Sequence, residues 1–278
     1  MKRILTFILT LTLALSFCVN SFAAATTATA SETQTGTSEA QTDTSKTQAG
    51  TSEAQTDTSK VQAGASYGIS NLSGAPDIVA ESAVVMDANT GTILYGKEAD
   101  TKRYPASITK VMTALLAVEN CKMSDVITYS NAAVNGIEAG SSTAGINVGA
   151  KLTVEDSLYA LMLVSANEAA AAIAEHISGS TTEFAKLMTK RAKELGCTNT
   201  QFKNPHGLPN EEHYTTAHDM GLILKEAMKH EEFRKISGTI SYTLKKSDTL
   251  KDTLELWNHA KILRENSDYY YKYAEGAK

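Results

Sequence analysis

The sequence predicts an α+β domain, on two observations: alternating, strand-like patterns stand at both ends of the region from Asp77 onward, and a run of helical patterns fills its middle. Strands separated by that much helix reach across the domain to pair. The expected architecture is therefore one sheet assembled from both ends, with helices packed beside it.

Two segments of different character precede this domain. Met1-Lys2-Arg3 is basic, residues 4–17 are almost wholly apolar or small, and Ser21-Phe22-Ala23 or Ala23-Ala24-Ala25 offers a small-x-small cleavage site, so residues 1–25 read as an export signal. Its apolar core is shorter than the roughly 20 residues that span a bilayer. Residues 36–46 then recur unchanged at 50–60, and no large apolar side chain appears between residue 26 and Val61. Such a segment cannot bury enough surface to offset its ordering entropy, so 26–66 reads as a disordered Thr/Ser/Gln-rich linker and 67–278 as the folded part.

Within the folded part, residues 82–86 and 92–95 form a hairpin pattern around Asp87, Asn89 and Gly91, the residue types that a tight turn requires. Helical patterns follow at 107–119, entered through Pro105, which pre-sets the backbone, and then at 154–163 and 167–176. Two more are expected at 182–195, with Gly196 as C-cap, and at 217–230; alternation returns at 239–244. The break between the second and third helices is Ser165-Ala166-Asn167, the one Ser-x-Asn of the chain. A polar turn between two apolar helices leaves both side chains free to face a cleft.

The chemistry is concentrated at Ser107-Ile108-Thr109-Lys110, where the chain has its one serine followed three residues on by lysine. Positions three apart on a helix share a face, so Ser107 Oγ and Lys110 Nζ can touch. A lysine desolvated against Val111 and Leu115 loses preference for its charged form and can take a proton from the serine, which makes Ser107 a nucleophile without any histidine. The tetrad alone also fits a plain N-cap serine followed by a solvated lysine.

Composition removes several other classes. The net charge of −5 and the lack of a basic stripe argue against a nucleic-acid partner. Beyond the leader only Cys121 and Cys197 remain, too few for a zinc framework or a disulfide scaffold, with a single bridge between them left open. His206, His213 and His218 lack metal-ligand spacing such as His-Glu-x-x-His, so no metal or other cofactor is expected. His206-Gly207-Leu208 reads as cleft floor, and Asp219 as a brace for the helix it opens.

Four blocks in order, Tyr104 to Lys110, Gly140 to Ser142, Ser165 to Asn167, and Asn204 to Pro209 followed by Tyr214 to Asp219, make the region from Asp77 to Lys278 resemble the serine-type D-alanyl-D-alanine carboxypeptidases, the low-molecular-mass penicillin-binding proteins. The resemblance implies a β-lactamase/transpeptidase-like fold, a five-stranded antiparallel sheet with a helical subdomain and the active site between them. It implies that Ser107 forms an acyl-enzyme with peptidoglycan stem peptides, releasing D-alanine, and is acylated by β-lactams. Lys110 is then the base, Ser165 relays a proton to the leaving amine, Asn167 holds the substrate backbone, and Lys278 recognises the terminal carboxylate. Lys278 also stands where the family's Lys-Thr-Gly motif begins. The resemblance thus implies a C-terminally truncated chain, without the Thr and Gly, the closing strands and helix, or the membrane anchor of many relatives, and with poor activity.

Two alternatives use the same residues. A class A β-lactamase needs a deacylating glutamate in a Glu-x-x-Leu-Asn element, and no glutamate after Ser165 is followed at the fourth place by asparagine. A non-catalytic module that binds peptidoglycan would keep the cleft without its chemistry.

Overall fold

The computed structural model describes residues 78–276 and 278; the leader and linker expected at 1–25 and 26–66 lie outside the described residues. The order begins with β1 (Ala83–Met86) and β2 (Ile93–Lys97), a 3-10 turn (Ala106–Thr109) and α1 (Lys110–Asn120). Next come β3 (Val126–Thr128), α2 (Asn131–Asn135), β4 (Lys151–Thr153), α3 (Val154–Leu163), α4 (Asn167–Ser178) and α5 (Thr181–Glu194). The last elements are α6 (Ala217–Ala227), α7 (Glu231–Gly238), β5 (Ser241–Leu244), β6 (Leu254–Trp257) and a second 3-10 turn (Lys261–Leu263).

The hairpin β1–β2 forms where the pattern places it, in antiparallel register from Ala83 opposite Lys97 to Met86 opposite Ile93, with an irregularity between Val85 and Met86. Asp87 organises the turn: its Oδ1 accepts from the backbone N–H of Asn89 and Thr90 and from the Thr90 hydroxyl. β1 packs on α6, and Gly221 of that helix makes the approach possible, since a Cβ there would stand 3.1 Å from Val84 Cγ1 and 3.2 Å from Met86 Cε.

The core lies among the helices. Met112, Leu115 and Leu116 of α1, Leu158, Leu161 and Leu163 of α3, and the alanines 169–172 and Ile173 of α4 are all at most 2% exposed. α4 is buried almost all round through its first eight residues, and its small side chains let α1, α2, α3 and α5 close on it. α3 starts with a reciprocal cap, the Thr153 hydroxyl accepting from Asp156 N–H while the Asp156 carboxylate accepts from Thr153 N–H. The Asp156 carboxylate also accepts from Tyr242 Oη, whose ring stacks on Tyr159 at 3.7 Å, and so ties β5 to α3. Gly179, at φ +74°, ends α4 as a left-handed cap.

The expectation of one sheet is corrected. The described strands form three separate antiparallel pairs, β1–β2, β3–β4 and β5–β6. Each pair closes its ladder with its own neighbour; β1–β2 packs on α6, β5–β6 on α3, and β3–β4 on α3 and α4. The helix expected at 217–230 is α6, which ends at Ala227; His230 is extended (φ −83°, ψ 125°) and α7 follows beyond the expected range. Cys121 and Cys197 are both free thiols; the buried Cys197 Sγ donates to Asp219 O.

Asp219 is a brace, as its sequence position suggests, although the cap of α6 is Thr216, whose hydroxyl accepts from Asp219 N–H. The buried Asp219 carboxylate reaches back to Asn199 N–H at 2.8 Å and Thr200 Oγ1 at 2.6 Å, pinning the segment after α5. Asp219→Ala removes the shared acceptor of a half-exposed N–H and of a buried hydroxyl that keeps Thr215 Oγ1 as its other partner, and the expected cost is about 1–3 kcal/mol, read as a lower midpoint in thermal or urea unfolding. An unchanged midpoint would contradict this role.

Candidate active site

Ser107 does not cap a helix. The residue before it, Ala106, has φ +48°, and α1 begins three residues later at Lys110 with no side-chain cap. A left-handed alanine is strained, and the strain turns the first helical residues so that Ser107 is half-exposed while Lys110 is fully buried.

Lys110 Nζ has three neighbours: Asn167 Oδ1 at 2.7 Å, the His206 carbonyl at 2.8 Å and Ser107 Oγ at 3.4 Å. A neutral amine carries two hydrogens and one lone pair. In the neutral form the two short contacts take both hydrogens, which leaves the lone pair for the Ser107 hydroxyl. Burial lowers the Lys110 pKa to about 7, helped by the nearby Lys278 ammonium and opposed by the Glu168 carboxylate. A neutral lysine near neutral pH, aimed at a serine oxygen, is the arrangement in which a hydroxyl becomes a nucleophile.

The carbonyl that holds Lys110 comes from the segment 204–208. Asn204 folds it, its Oδ1 accepting from His206 and Gly207 N–H while its Nδ2 donates to Leu208 O. The Thr113 hydroxyl of α1 donates to Pro205 O at 2.6 Å. Gly207, at φ +87°, passes directly beneath the Ala106 carbonyl, where a Cβ would overlap the oxygen. Ala106 and Gly207 together border a cavity of about 420 Å³ that also includes Tyr104 and Pro209.

The histidines support this floor. His213 Nδ1 accepts from Lys203 N–H, so Nε2 carries the hydrogen and donates to Thr109 Oγ1 at 2.9 Å. Burial lowers the pKa of both His213 and His206 to about 4, with Lys110 adding to the effect at His206. Both rings are neutral structural groups at physiological pH.

Of the five residues singled out in the sequence, hydrogen bonds unite Ser107, Lys110 and Asn167. Ser165 sits in the turn between α3 and α4 at φ +61°, and its buried Oγ has no partner among the described residues. Lys278 Nζ is bound elsewhere, donating to the carbonyls of Leu161 at 3.1 Å and Met162 at 3.4 Å in the last turn of α3, where a cation is favoured. Desolvation lowers its pKa to about 8. Sequence reasoning missed the His206 carbonyl, since a backbone contact carries no residue signature, and it missed Glu168, an acidic residue indistinguishable by type from any first-turn helix carboxylate.

A family model described as D-alanyl-D-alanine carboxypeptidase matches residues 70–273, most of the chain. The chain belongs to this family. Among curated relatives, it is 42% identical over 177 residues to D-alanyl-D-alanine carboxypeptidase DacF of Bacillus subtilis, covering 62% of this chain and 45% of the relative. It is 35% identical over 160 residues to DacA of Escherichia coli, covering 55% and 40%. The chain thus spans less than half the length of these two relatives. Among solved structures, the Streptomyces K15 DD-transpeptidase superimposes with a TM-score of 0.63 at 34% identity, covering 69% of this chain and 78% of that one. Penicillin-binding protein 5 from Haemophilus influenzae gives 0.61 at 31% identity, covering 68% and 55%. The fold is accordingly that of the DD-peptidases, in the β-lactamase/transpeptidase class.

The close passage at Gly207 makes a direct comparison possible. Gly179→Ala, also at positive φ but with nothing within 4 Å of the new Cβ, costs only the left-handed penalty of about 1–2 kcal/mol. Gly207→Ala adds a backbone overlap and is expected to cost roughly 2–5 kcal/mol. Equal unfolding midpoints for the two variants would contradict the packing described for the floor.

Proposed function

We propose that the chain is a serine-type D-alanyl-D-alanine carboxypeptidase that removes the terminal D-alanine from peptidoglycan stem peptides and is acylated by β-lactams. The observation that carries this reading is the buried Lys110 amine, held by Asn167 Oδ1 and the His206 carbonyl within reach of Ser107 Oγ, in a member of this family. The leader-like first 25 residues support action outside the cytoplasm, at the cell wall or the outer face of the membrane. Among the described residues no helix is long and apolar enough to cross a membrane.

In the proposed reaction, Ser107 Oγ bonds to the carbonyl carbon between the two D-alanines and its proton passes to Lys110 Nζ. The Ser107 backbone N–H faces the developing oxyanion as one of its donors. Collapse breaks the C–N bond, and the departing amine takes a proton through Ser165, whose hydroxyl is committed to no other group among the described residues. Water then hydrolyses the ester, with Lys110 again accepting a proton. Asn167 keeps its amide Nδ2 for the substrate backbone while Oδ1 holds Lys110. Lys278 supplies the cation for the terminal carboxylate; it is close enough to Lys110 to depress that amine.

The test is D-alanine release from a soluble peptide ending in D-alanyl-D-alanine, measured against pH. Lys110 is a base, so the rate rises about tenfold per pH unit below its pKa near 7 and levels off above it. Ser107→Ala abolishes release, and Lys110→Ala lowers it about 10²- to 10⁴-fold. Release that persists in Ser107→Ala, or that shows no limb near neutrality, would refute the assignment.

A further inference from the structure

We propose that Glu168 is a positioning residue of this site: its single buried carboxylate ties the loop 142–146 to the first turn of α4 and thereby holds Asn167 against Lys110. The inference rests on reading Ser107 and Lys110 as the acylating pair, and it extends that reading to a residue that touches neither substrate nor nucleophile.

Glu168 is 2% exposed, and a buried carboxylate is costly unless donors surround it. Here one oxygen collects them all. Oε1 accepts from Thr143 Oγ1 at 2.6 Å, Ala144 N–H at 2.7 Å, Gly145 N–H at 3.1 Å and Ile146 N–H at 3.4 Å. Three consecutive backbone N–H groups converging on one oxygen form an anion nest, and Gly145 at φ +82° supplies the left-handed residue that such a concavity needs. The loop has neither helix nor strand, so this carboxylate takes the place of a ladder partner. Oε2 is buried and accepts nothing among the described residues.

The grip is double. Asn167 N–H donates to Ser142 O at 3.0 Å, so two consecutive residues of α4 hold both ends of the loop, while the side chain of the first holds the base. A shift of the loop therefore moves Asn167 Oδ1, and with it Lys110. The carboxylate also acts through charge. The groups around Lys110 are the Lys278 ammonium, the neutral His206 ring and Glu168, and Tyr129 is the other titratable group that feels Glu168. Glu168 alone among them favours the protonated lysine.

The experiment is the second-order rate of acylation of the purified chain by a fluorescent penicillin, measured across pH for the wild type, Glu168→Gln, Glu168→Ala and Thr143→Val, with unfolding midpoints for each. Glu168→Gln keeps the acceptor but loses the charge, so its acid limb moves to lower pH. Thr143→Val removes the shortest bond and leaves the three N–H donors; the chain still folds, with a midpoint only modestly below the wild type, while the plateau rate falls about 3- to 10-fold. Glu168→Ala falls further, about 10²-fold, or unfolds, and in the latter case the other two variants decide. Glu168→Gln with an unmoved limb, or Thr143→Val with an unchanged plateau, overturns the proposal. A wild type that is not acylated at any pH overturns the reading of Ser107 and Lys110 first, and this assignment with it.

Discussion

The contact on which the rest depends is the one between a buried lysine and three oxygens. Lys110 has no exposure to water, so every polar neighbour of its nitrogen must come from the protein. Those neighbours arrive from three parts of the chain: Ser107 from the turn before α1, Asn167 from the start of α4, and the His206 carbonyl from the segment after α5. Bringing an amine into this environment costs solvation, and the same cost brings its pKa down to about 7, which the proposed role as a base requires. Placement and reactivity have one physical origin.

Backbone strain is concentrated where this contact is built. Two of the three non-glycine residues with positive φ among the described residues are Ala106, next to the serine, and Ser165, in the turn that launches Asn167. Gly207 tolerates a passage beneath Ala106 that no side chain could share. The surrounding helices hold these conformations in place: α1, α3 and α4 contribute much of the buried apolar surface, and the strained residues sit at their ends. The helical core fixes the ends, and the ends carry the residues of the proposed chemistry.

Much of this was legible in the sequence because it is local. Ser107 and Lys110, three apart, do meet, although across a 3-10 turn that leads into α1 and not within one helix, and the polar Ser-x-Asn between two apolar helices does turn; α3 forms over the residues that its pattern marks. What was not legible is contact between distant segments. β3 and β4 are three residues each and α2 is five, too short for any period to show. The single sheet expected from strands at both ends gave way to three local pairs, because alternation marks a strand but not its partner. Glu168 reads by type as a helix-dipole carboxylate, and only the fold reveals the loop wrapped around it.

The central claim is that Ser107, and no other side chain, is made nucleophilic by Lys110. Intact-mass analysis of the chain after incubation with benzylpenicillin, followed by peptide mapping, tests it most directly. The account predicts one covalent adduct per chain, located on the peptide that contains Ser107 and lost in both Ser107→Ala and Lys110→Ala. An adduct on a different serine, or a Lys110→Ala variant labelled as fast as the wild type, would contradict it.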